Sequence, residues 1–507
     1  MLVALTCLLA CEETKPKSAG QGASGGSGGE AGSPAEGGSS AITGGTAGSP
    51  TDGGSSNAAG ATSDAGQPGT GGVDSGGTGD SGGAGEPGAG GMPGSAGVLE
   101  PAIAWSLPSG DPLNATPPVL AASETGMIVA GATSDLTLAG VSAFPTGVLA
   151  EAFVAELARD GSVKWSTPLP DAGMPSAVVV EENGDVLVLA PFIPDAMSLF
   201  PGQYADSVLL ARLDASGNVL YQRELAFGTG TIAEGLAVDA AGAIYVAGSQ
   251  MPQDDFPNEY VLFAKYDAEG LELWTKVFEH EGSTAYASSV TVAAGGDVVI
   301  AGVFNGSMNL GGDALETDAL LGTSKMPNGF VARFNAAGEH VSSQSFGGTI
   351  FDGATALEAL DDGDVLLGGW LSGVSTVGGQ AITADEEEGS AFLARLDAAG
   401  AARWVSLAAT IGATYDIVTA SGEGPLFVAG ELGVAGGYLA EVAASGEPGP
   451  TWTAASGTLV GRSAAVDAQG SVWLAGEFSG ELELGNGNVL PAADAGVCLM
   501  RLDRAPE

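Results

Sequence analysis

A pair of short motifs recurs seven times from residue 102 onward in this 507-residue chain, and this repetition constrains the fold more than any other feature. The first motif is an apolar run that ends in Ala-Gly or a close variant. Its copies lie at 127–131, 186–190, 244–248, 298–302, 365–369, 426–430 and 472–476. A glycine turn precedes each copy, at Gly126, Gly184, Gly242, Gly296, Gly363, Gly424 and Gly470. Apolar runs of this length between glycine turns are typical of buried β-strands.

The second motif is another apolar strand followed by a glycine turn. Its copies begin at Phe153, Val208, Val261, Phe330, Phe392, Tyr438 and Cys498. Six copies run into a further strand, and four of these carry an aromatic residue four positions after the glycine: Trp165, Tyr221, Trp274 and Trp404. Ser342 replaces the aromatic residue in one copy, and Trp452 is displaced by two positions in another. The regular placement predicts packing between repeats, in preference to a sugar-stacking platform.

The predicted strands add up to seven complete sets of four. The seventh copy stops at Glu507 without its final strand, whereas an extra strand of that type, 102–109, begins the repeat region. We therefore predict an all-β fold: a seven-bladed β-propeller with four-stranded antiparallel blades, closed by N- and C-terminal strands in one blade. Such closure removes open sheet edges, which otherwise promote aggregation.

Two stretches carry a family resemblance. AVDAAGAIYVAG (237–248) and FLARLDAAGAARW (392–404) resemble the SBBP-type seven-bladed propeller repeats of bacterial surface proteins, such as those of myxobacteria. The resemblance covers nearly all of 101–507 and implies a fold but little about activity, because propellers host many functions. The pattern from Asp397 to Trp404 also resembles the tryptophan-docking repeat of quinoprotein dehydrogenases and the propeller lipoprotein of outer-membrane barrel assembly. Its Asp-to-Gly spacing is one residue shorter than the quinoprotein form.

The N-terminal residues predict the cellular location of the protein. Residues 1–10 are apolar, and Leu8-Leu9-Ala10-Cys11 resembles the lipobox of bacterial lipoproteins. The resemblance implies that 1–11 is a lipoprotein signal peptide segment, that Cys11 carries the lipid, and that the protein resides in the cell envelope. The expected location is the outer membrane, facing the periplasm or the cell surface. No Lys or Arg precedes Cys11, so we expect the natural start to lie upstream of Met1.

Residues 12–100 are predicted to form a disordered Gly/Ser/Ala-rich stalk. The segment 14–97 contains no Phe, Trp, Tyr or Leu, and 30 of the residues in 17–97 are glycine. Such a segment cannot bury enough apolar surface to offset the entropy of ordering. A flexible coil of this length spans roughly 50 Å. The predicted organisation is thus a signal segment (1–11), a stalk (12–100) and a propeller (101–507).

The charge excludes several partners. The formal net charge is −46, and residues 101–507 contain 51 acidic and 13 basic residues. Such an acidic surface repels nucleic-acid phosphates and anionic lipid head groups, so membrane contact is expected through the lipid anchor only. The three cysteines are Cys7, Cys11 and Cys498. With the first two in the signal segment, Cys498 has no intrachain partner, and no zinc-ligand spacing is visible.

No catalytic constellation is visible. His280 and His340 are the only histidines, and neither accompanies a nucleophile motif. We therefore predict a monomeric, non-enzymatic binding or scaffolding module without cofactor or metal, whose ligand is an unknown protein or glycan. Two alternatives stay open: a quinoprotein-like or lyase-like propeller enzyme, and an outer-membrane assembly-type propeller lipoprotein.

The ligand is predicted to dock on one particular face. In an antiparallel blade both glycine turns lie on one face, here termed the Gly-turn face. The opposite long-loop face collects the long connections, expected to be irregular, at 131–152, 190–207, 249–260, 303–329 and 370–390. Function on repeat scaffolds concentrates where loops vary. The candidate ligand-binding residues on this face are Asp254, Asp255, Glu259, Lys325, Glu386, Glu387 and Glu388.

Other recurring polar residues are predicted to be structural. Aspartates at the start of the tight turns, Asp214, Asp239, Asp397 and Asp467, are expected to cap those turns, in preference to binding calcium. A basic residue next to the second turn recurs as Arg212, Lys265, Arg333, Arg395 and Arg501. We expect these side chains to pair with repeated acidic groups, in preference to binding a ligand.

Overall fold

The computed structural model divides the chain into two units, Met1–Pro93 and Gly94–Glu507. It describes residues of the second unit only: 99–107, 117–133, 137–138, 141–142, 151–193, 207–228, 230–252, 258–317, 320–321, 324–348, 351–420, 425–432, 436–485 and 488–504. Cys11, the predicted stalk up to residue 98, and the candidates Asp254 and Asp255 lie outside the described residues.

The regular elements of these residues are all β-strands. The described residues therefore contain no helix that is long and apolar enough to cross a membrane. The first half contains β1 (Leu99–Leu107), β2 (Val119–Ala122), β3 (Met127–Thr133), β4 (Thr137–Leu138), β5 (Val141–Ser142), β6 (Glu151–Leu157), β7 (Val163–Leu169), β8 (Ala177–Val180), β9 (Val186–Pro191), β10 (Val208–Leu213), β11 (Val219–Leu225), β12 (Thr231–Val238), β13 (Ile244–Gln250), β14 (Tyr260–Tyr266), β15 (Glu272–Phe278), β16 (His280–Glu281), β17 (Ala285–Val292) and β18 (Val298–Phe304).

The second half contains β19 (Ser307–Met308), β20 (Leu315–Glu316), β21 (Leu320–Leu321), β22 (Ser324–Lys325), β23 (Asn328–Phe334), β24 (His340–Phe346), β25 (Gly353–Ala359), β26 (Val365–Leu371), β27 (Val374–Val377), β28 (Gln380–Thr383), β29 (Ser390–Leu396), β30 (Ala402–Ala409), β31 (Ala413–Thr419), β32 (Leu426–Glu431), β33 (Gly437–Val442), β34 (Pro448–Trp452), β35 (Ser456–Val466), β36 (Val472–Gly485) and β37 (Asn488–Arg504).

Seven four-stranded antiparallel sheets account for most of the described strands. In strand order they are sheet 1 (β2-β3-β6-β7), sheet 2 (β8-β9-β10-β11), sheet 3 (β12-β13-β14-β15), sheet 4 (β17-β18-β23-β24), sheet 5 (β25-β26-β29-β30), sheet 6 (β31-β32-β33-β34) and sheet 7 (β35-β36-β37-β1). The repeated Ala-Gly motif is the second strand of every sheet, and the second motif is the third strand. The motif pairing predicted from the sequence is therefore confirmed at the level of strands.

Burial explains why the strands that carry the motifs are apolar along their whole length. Second strands such as β13 and β18 lie between neighbouring sheets and are buried on both faces, which requires continuous apolar runs. Fourth strands such as β11 and β15 form the outer edge of their sheets, and most of their residues are exposed or only half-buried. One chemical pattern per strand position thus repeats in every sheet.

The sheets pack around a common centre through their first strands. β2 contacts β8, β8 contacts β12, and the series continues through β17, β25, β31 and β35, which in turn contacts β2. Apolar layers fill the spaces between neighbouring sheets, for example Tyr245 and Phe263 of sheet 3 against Ile300 and Phe334 of sheet 4. This is the architecture of a β-propeller, a repeat protein whose core is distributed between its repeats.

The first and last sheets share one of these apolar layers. Met127 and Phe153 of sheet 1 pack in the same cluster as Trp473 and Leu499 of sheet 7. In sheet 7, β1 pairs with β37, from Leu99 opposite Arg504 to Leu107 opposite Val497. The extra strand therefore begins at Leu99, earlier than the predicted 102–109, because the buried Leu99 side chain belongs to the apolar cluster of sheets 6 and 7.

Two details differ from expectation. The connections expected to be irregular contain short strands, among them the β27–β28 hairpin in 370–390. These segments are ordered because they bury apolar side chains such as Met308, Leu315 and Val377. Gly126 also departs from the other first-turn glycines that the structure describes, since it lacks their positive φ. A Cβ on Gly126 would lie 2.1 Å from the Leu157 carbonyl oxygen, so this glycine is required for close approach.

Candidate functional site

The repeated aromatic residues stitch neighbouring sheets together. A Cβ added to Gly217 of sheet 2 would lie 2.4 Å from the Trp165 ring of sheet 1. Gly446 of sheet 6 meets Trp404 of sheet 5 in the same way, at 2.5 Å. Second-turn glycines therefore combine a positive φ with a close contact to the aromatic ring of the preceding sheet. The predicted packing role of these aromatic residues is confirmed at these positions.

The repeated basic residues are also used between sheets. Arg212 donates to the Ala268 carbonyl oxygen of the next sheet at 2.9 Å, and Lys265 donates to Ala336 at 2.9 Å. Acidic partners from the first turn accompany them: Arg395 bonds Asp364 at 2.7 Å and Arg333 lies 3.6 Å from Asp297. The predicted structural pairing is confirmed for these residues.

Turn capping explains the recurring aspartates. The Asp214 carboxylate accepts the backbone N–H groups of Ser216 and Asn218, each at 2.9 Å. Asp239, Asp397 and Asp467 accept the equivalent pairs of N–H groups. The recurring aspartate, arginine and tryptophan side chains near the Gly-turn face all make contacts that hold the sheets and turns together. They therefore form part of the scaffold.

A channel runs between the first strands of all seven sheets. Its volume is about 460 Å³, and its lining includes residues of β2, β8, β12, β17, β25, β31 and β35. This volume falls within the range of small-molecule sites in proteins. The described residues that line it include neither histidine nor cysteine.

A β-bulge shapes the channel wall in five sheets. The first strand carries one extra residue there, opposite the glycine of the Ala-Gly motif, as between Ala233 and Gly235 opposite Gly248. A Cβ on Gly248 would lie 2.0 Å from the Ile232 carbonyl oxygen. Gly302, Gly369 and Gly430 show the same close approach. The glycine of the motif is therefore required because any larger residue would collide with the bulged strand.

The extra residue of each bulge differs from sheet to sheet. The five are Glu234, Ser288, Thr355, Tyr415 and Arg462, and all of them line the channel. Ser288 and Thr355 donate their hydroxyl protons to backbone carbonyl oxygens of the next sheet. Arg462 stacks on the Tyr415 ring at 4.2 Å and bonds Glu477 at 3.2 Å. Within a uniform scaffold, this ring of positions carries the chemical variety.

Glu234 is the exception among these bulge residues, because no hydrogen bond or ion pair reaches its carboxylate among the described residues. Its side chain is solvent-exposed within the channel, and the channel walls displace part of the water around it. This desolvation, together with the nearby Glu259 carboxylate, raises the pKa of Glu234 to about 7. Glu259 accepts the Ser249 hydroxyl proton at 2.7 Å, and its burial raises its own pKa.

Further carboxylates line the channel closer to the Gly-turn face. Burial raises the pKa of Glu358 to about 7, although its carboxylate accepts the Thr419 hydroxyl proton at 3.0 Å. Burial also raises the pKa of Asp416 to about 6, although it accepts the Ala464 N–H of the next sheet at 2.8 Å. These two carboxylates are therefore held by the scaffold, in contrast to Glu234.

The structure separates the candidate residues predicted from sequence. Glu259 ends the long connection that precedes β14, and its carboxylate is close enough to contribute to the raised pKa of Glu234. Lys325 is exposed and pairs with Glu316 at 3.4 Å. Glu386, Glu387 and Glu388 are exposed in a separate turn, in which the Asp385 carboxylate accepts two backbone N–H groups. No group of three or more His, Cys, Asp or Glu side chains in the described part of the chain could hold a metal ion.

Sequence reasoning missed Glu234, Tyr415 and Arg462. A signal was available, because the bulge residue lies eight positions before the first-turn glycine in four of the five sheets. Counted from that glycine, the position holds Glu, Ser, Thr or Arg inside an otherwise apolar or small strand. A polar residue at a fixed point of a repeat marks a special backbone geometry. The geometry itself could be recognised only from the strand register.

The raised carboxylate pKa values predict stability that increases on mild acidification. The folded pKa values of Glu234 and Glu358, about 7, and of Asp352 and Asp416, about 6, lie above those of the unfolded chain. The folded state therefore binds more protons between about pH 4 and pH 7, and acidification favours it. Calorimetry should find a melting temperature ~5 °C higher at pH 5.5 than at pH 8.

A matched variant separates this effect from general charge repulsion. Glu234→Gln combined with Glu358→Gln removes only two of the acidic charges, so it should leave general repulsion nearly intact but reduce the pH dependence, while Asp352 and Asp416 keep the remainder. Below about pH 4 stability should fall again. There the interactions of carboxylates such as Asp364 are lost, since hydrogen bonds from Arg403 and Arg395 outweigh burial and lower its pKa. A melting temperature that rises from pH 5.5 to pH 8 would contradict the assignment.

The comparisons with known proteins identify no family. No family model matches the chain, and no curated protein matches it. Among solved structures, the Neurospora crassa Pan2 WD40 domain is 10% identical, covers 82% of this chain and 97% of its own, and has a TM-score of 0.45. Kuenenia stuttgartiensis hydrazine synthase is 11% identical, with 78% and 97% covered and a TM-score of 0.44. The β-propeller architecture of this chain rests on its own sheet topology and on the packing of its first strands.

Proposed function

We propose that the seven sheets are the blades of one closed propeller and that this propeller is a binding or scaffolding module. Three contacts between the last and first sheets support closure: the shared apolar cluster, the packing of β35 on β2, and the Leu120 N–H bonded to Ser463 Oγ at 3.1 Å. A closed ring holds its central channel in a fixed shape, which suits recognition.

One observation carries the binding proposal. The Glu234 carboxylate faces the channel and has no hydrogen-bond or ion-pair partner among the described residues, whereas Asp416 and Glu358 in the same channel have hydrogen-bond donors. Because this carboxylate is exposed to the channel, a ligand inside the channel can reach it. A ligand that enters from the long-loop side would supply the missing partner. The location of Glu259 there supports the predicted choice of face.

We further propose that the propeller is displayed in the cell envelope by a lipid on Cys11 and a flexible stalk over 12–100. The lipobox-like Leu8–Cys11 segment and the glycine-rich composition support this display. Mass spectrometry of the native protein should find a diacylated or triacylated Cys11. A mature chain that begins elsewhere without lipid would refute the anchor.

The binding proposal is tested by comparing substitutions on the two faces. Full-length protein serves as bait on a glycan array and in pull-downs from envelope extracts, and each captured ligand is identified. Glu234→Gln with Glu259→Gln should weaken capture at least about tenfold. Glu269→Gln, on an exposed second turn of the Gly-turn face, should leave it unchanged. The opposite pattern would place binding on the Gly-turn face and contradict the proposal.

A further inference from the structure

The interface between sheets 4 and 5 is built differently from four others. In sheets 1, 2, 3 and 5 the fourth strand places an aromatic ring against the second-turn glycine of the next sheet: Trp165 at Gly217, Tyr221 at Gly270, Trp274 at Gly338 and Trp404 at Gly446. In sheet 4 the equivalent position holds Ser342. A Cβ added at Gly400 of sheet 5 would meet only the Gln344 side chain within 4 Å among the described residues.

The exchange lies within an otherwise unchanged strand pairing. Ser342 lies opposite Arg333 on the neighbouring strand, as the aromatic residues of sheets 2, 3 and 5 lie opposite their own basic residues. Two positions further along, Gln344 donates a side-chain N–H to the Gly400 carbonyl oxygen at 2.7 Å. Thr167 makes the equivalent bond from sheet 1 to sheet 2 at 2.6 Å. The frame around the ring position is therefore kept, and the ring itself is replaced.

A pocket of about 90 Å³ lies at this position. Its lining includes four buried apolar side chains that belong to one cluster of sheets 4 and 5: Val299, Val331, Val365 and Leu396. The buried Arg333 side chain also lines it, and a guanidinium group is a favourable neighbour for the face of an aromatic ring. An apolar cavity of about 150 Å³ holds a benzene ring. This smaller pocket, with the exposed Ala399 at its border, therefore has room for part of a ring.

The turn beside the pocket offers a hydrogen-bond acceptor. In sheet 5 the Trp404 indole N–H donates to the Ala444 carbonyl oxygen in the second turn of the next sheet at 3.0 Å. The Tyr221 hydroxyl donates to Ala268 in the same way at 3.1 Å. The equivalent carbonyl oxygen beside the pocket belongs to Ala398, and no hydrogen bond reaches it from the described residues. The pocket thus has the apolar wall and the acceptor that serve an aromatic ring with a donor group.

We propose that the pocket between sheets 4 and 5 binds an exposed tryptophan side chain of a protein partner, whose indole N–H donates to the Ala398 carbonyl oxygen. The chain itself places tryptophan at three of the four equivalent positions. Tryptophan side chains also contribute strongly to protein interfaces. With 51 acidic and 13 basic residues, the repeat region favours a partner with basic residues around this tryptophan. The pocket is distinct from the central channel, so the inference goes beyond the proposed channel function and does not depend on it.

Matched peptides test the ligand class. The probes are the acetylated and amidated tripeptides Lys-Trp-Lys, Lys-Phe-Lys and Lys-Leu-Lys, titrated into the full-length protein and followed by ligand-observed NMR. Their charges are equal, so differences in affinity report the central side chain. The tryptophan peptide should bind saturably, and the leucine peptide at least about tenfold more weakly. The phenylalanine peptide should lie between them, because it keeps a ring but has no N–H donor on it.

Two variants that fill the pocket test its location. Ser342→Trp supplies the ring from the chain itself, so it should raise the melting temperature and weaken the tryptophan peptide at least about tenfold. Ser342→Tyr reproduces the arrangement of sheet 2 and should act in the same direction if tryptophan is too large to fold. Val341→Trp is the control, because Val341 is an exposed neighbour on the same strand outside the pocket lining. It should leave peptide affinity within about twofold.

Several outcomes would overturn the inference. Equal affinity for the three peptides, or equal losses in Ser342→Trp and Val341→Trp, would indicate general attraction to an acidic surface. Tighter binding of free indole than of the tryptophan peptide would assign the pocket to a small molecule. Dimers of the native protein that Ser342→Trp disrupts would make the occupant a second copy of the chain. Peptide binding that Glu234→Gln abolishes would place the peptide in the channel, so the proposed channel function would stand and the pocket inference would fall.

Discussion

Deletion of residues 99–107 is expected to abolish the single cooperative unfolding transition and to cause self-association. These residues form β1, which pairs with β37 along its whole length and buries Leu99 among Leu439, Leu502 and their neighbours. Without β1, β37 becomes an exposed edge strand with unpaired backbone groups, and such edges pair with other chains. Light scattering after size exclusion should detect oligomers. Calorimetry should show a main transition lowered by at least about 10 °C, since one whole strand and its buried side chain are lost.

A deletion of equal length supplies the control. Removal of 60–68 shortens the predicted stalk by the same nine residues and should leave the transition and the monomeric state unchanged. Hydrogen exchange adds a local readout, because the β36–β37 region should lose protection only when β1 is absent. An unchanged transition after removal of 99–107 would show that sheet 7 does not depend on the N-terminal strand, and closure by both ends would be wrong.

Gly217→Ala is expected to be among the most destabilising single substitutions in the chain. The φ of Gly217 is +80°, which costs an L-residue about 1–2 kcal/mol. Its new Cβ would also lie 2.4 Å from the Trp165 ring, so one of the two sheets must move. Overpacking of this kind adds about 1–3 kcal/mol. Denaturant unfolding should therefore report a total loss of about 2–5 kcal/mol, the sum of the two costs.

Gly470→Ala is the matched control for backbone strain alone. Gly470 has a φ of +81°, nearly that of Gly217, but a Cβ there would meet nothing within 4 Å. Its substitution should cost only the strain. Trp165→Ala combined with Gly217→Ala tests the contact directly, because removal of the ring should make the second substitution less costly. Equal effects of Gly217→Ala and Gly470→Ala would show that the tryptophan contact does not matter.

Both predictions concern the scaffold, and the scaffold decides where function can lie. Near the Gly-turn face, Asp214 caps its turn, Arg212 bridges to Ala268, and Gly217 packs on Trp165. Substitutions there act first on stability. The bulge residues differ from sheet to sheet and face the channel, so substitutions such as Glu234→Gln can alter binding with little effect on the fold.

The sequence by itself determined the all-β class, the pairing of second and third strands, and the structural use of the repeated polar residues. These features rest on local chemistry. Apolar runs between glycine turns form buried strands, and Asp397 before Gly400 has a backbone turn to cap wherever the strand lies. Because the apolar strands recur in all seven repeats and the polar and aromatic residues in several of them, weak local signals reinforce one another. The role of Trp404 followed from the same regularity.

Only the tertiary structure decided which residues face the channel. In the sequence, the glycine of the Ala-Gly motif looks like the end of a strand. In the structure, the glycine of one such motif, Gly248, leaves room for a bulge on the neighbouring strand β12. Because of that bulge, Glu234 faces a space bounded by strands from all seven sheets. The pKa of the Glu234 carboxylate depends on residues distant in sequence, such as Glu259. Local patterns therefore predict the repeat, but the convergence of side chains on one axis arises only when the sheets pack together.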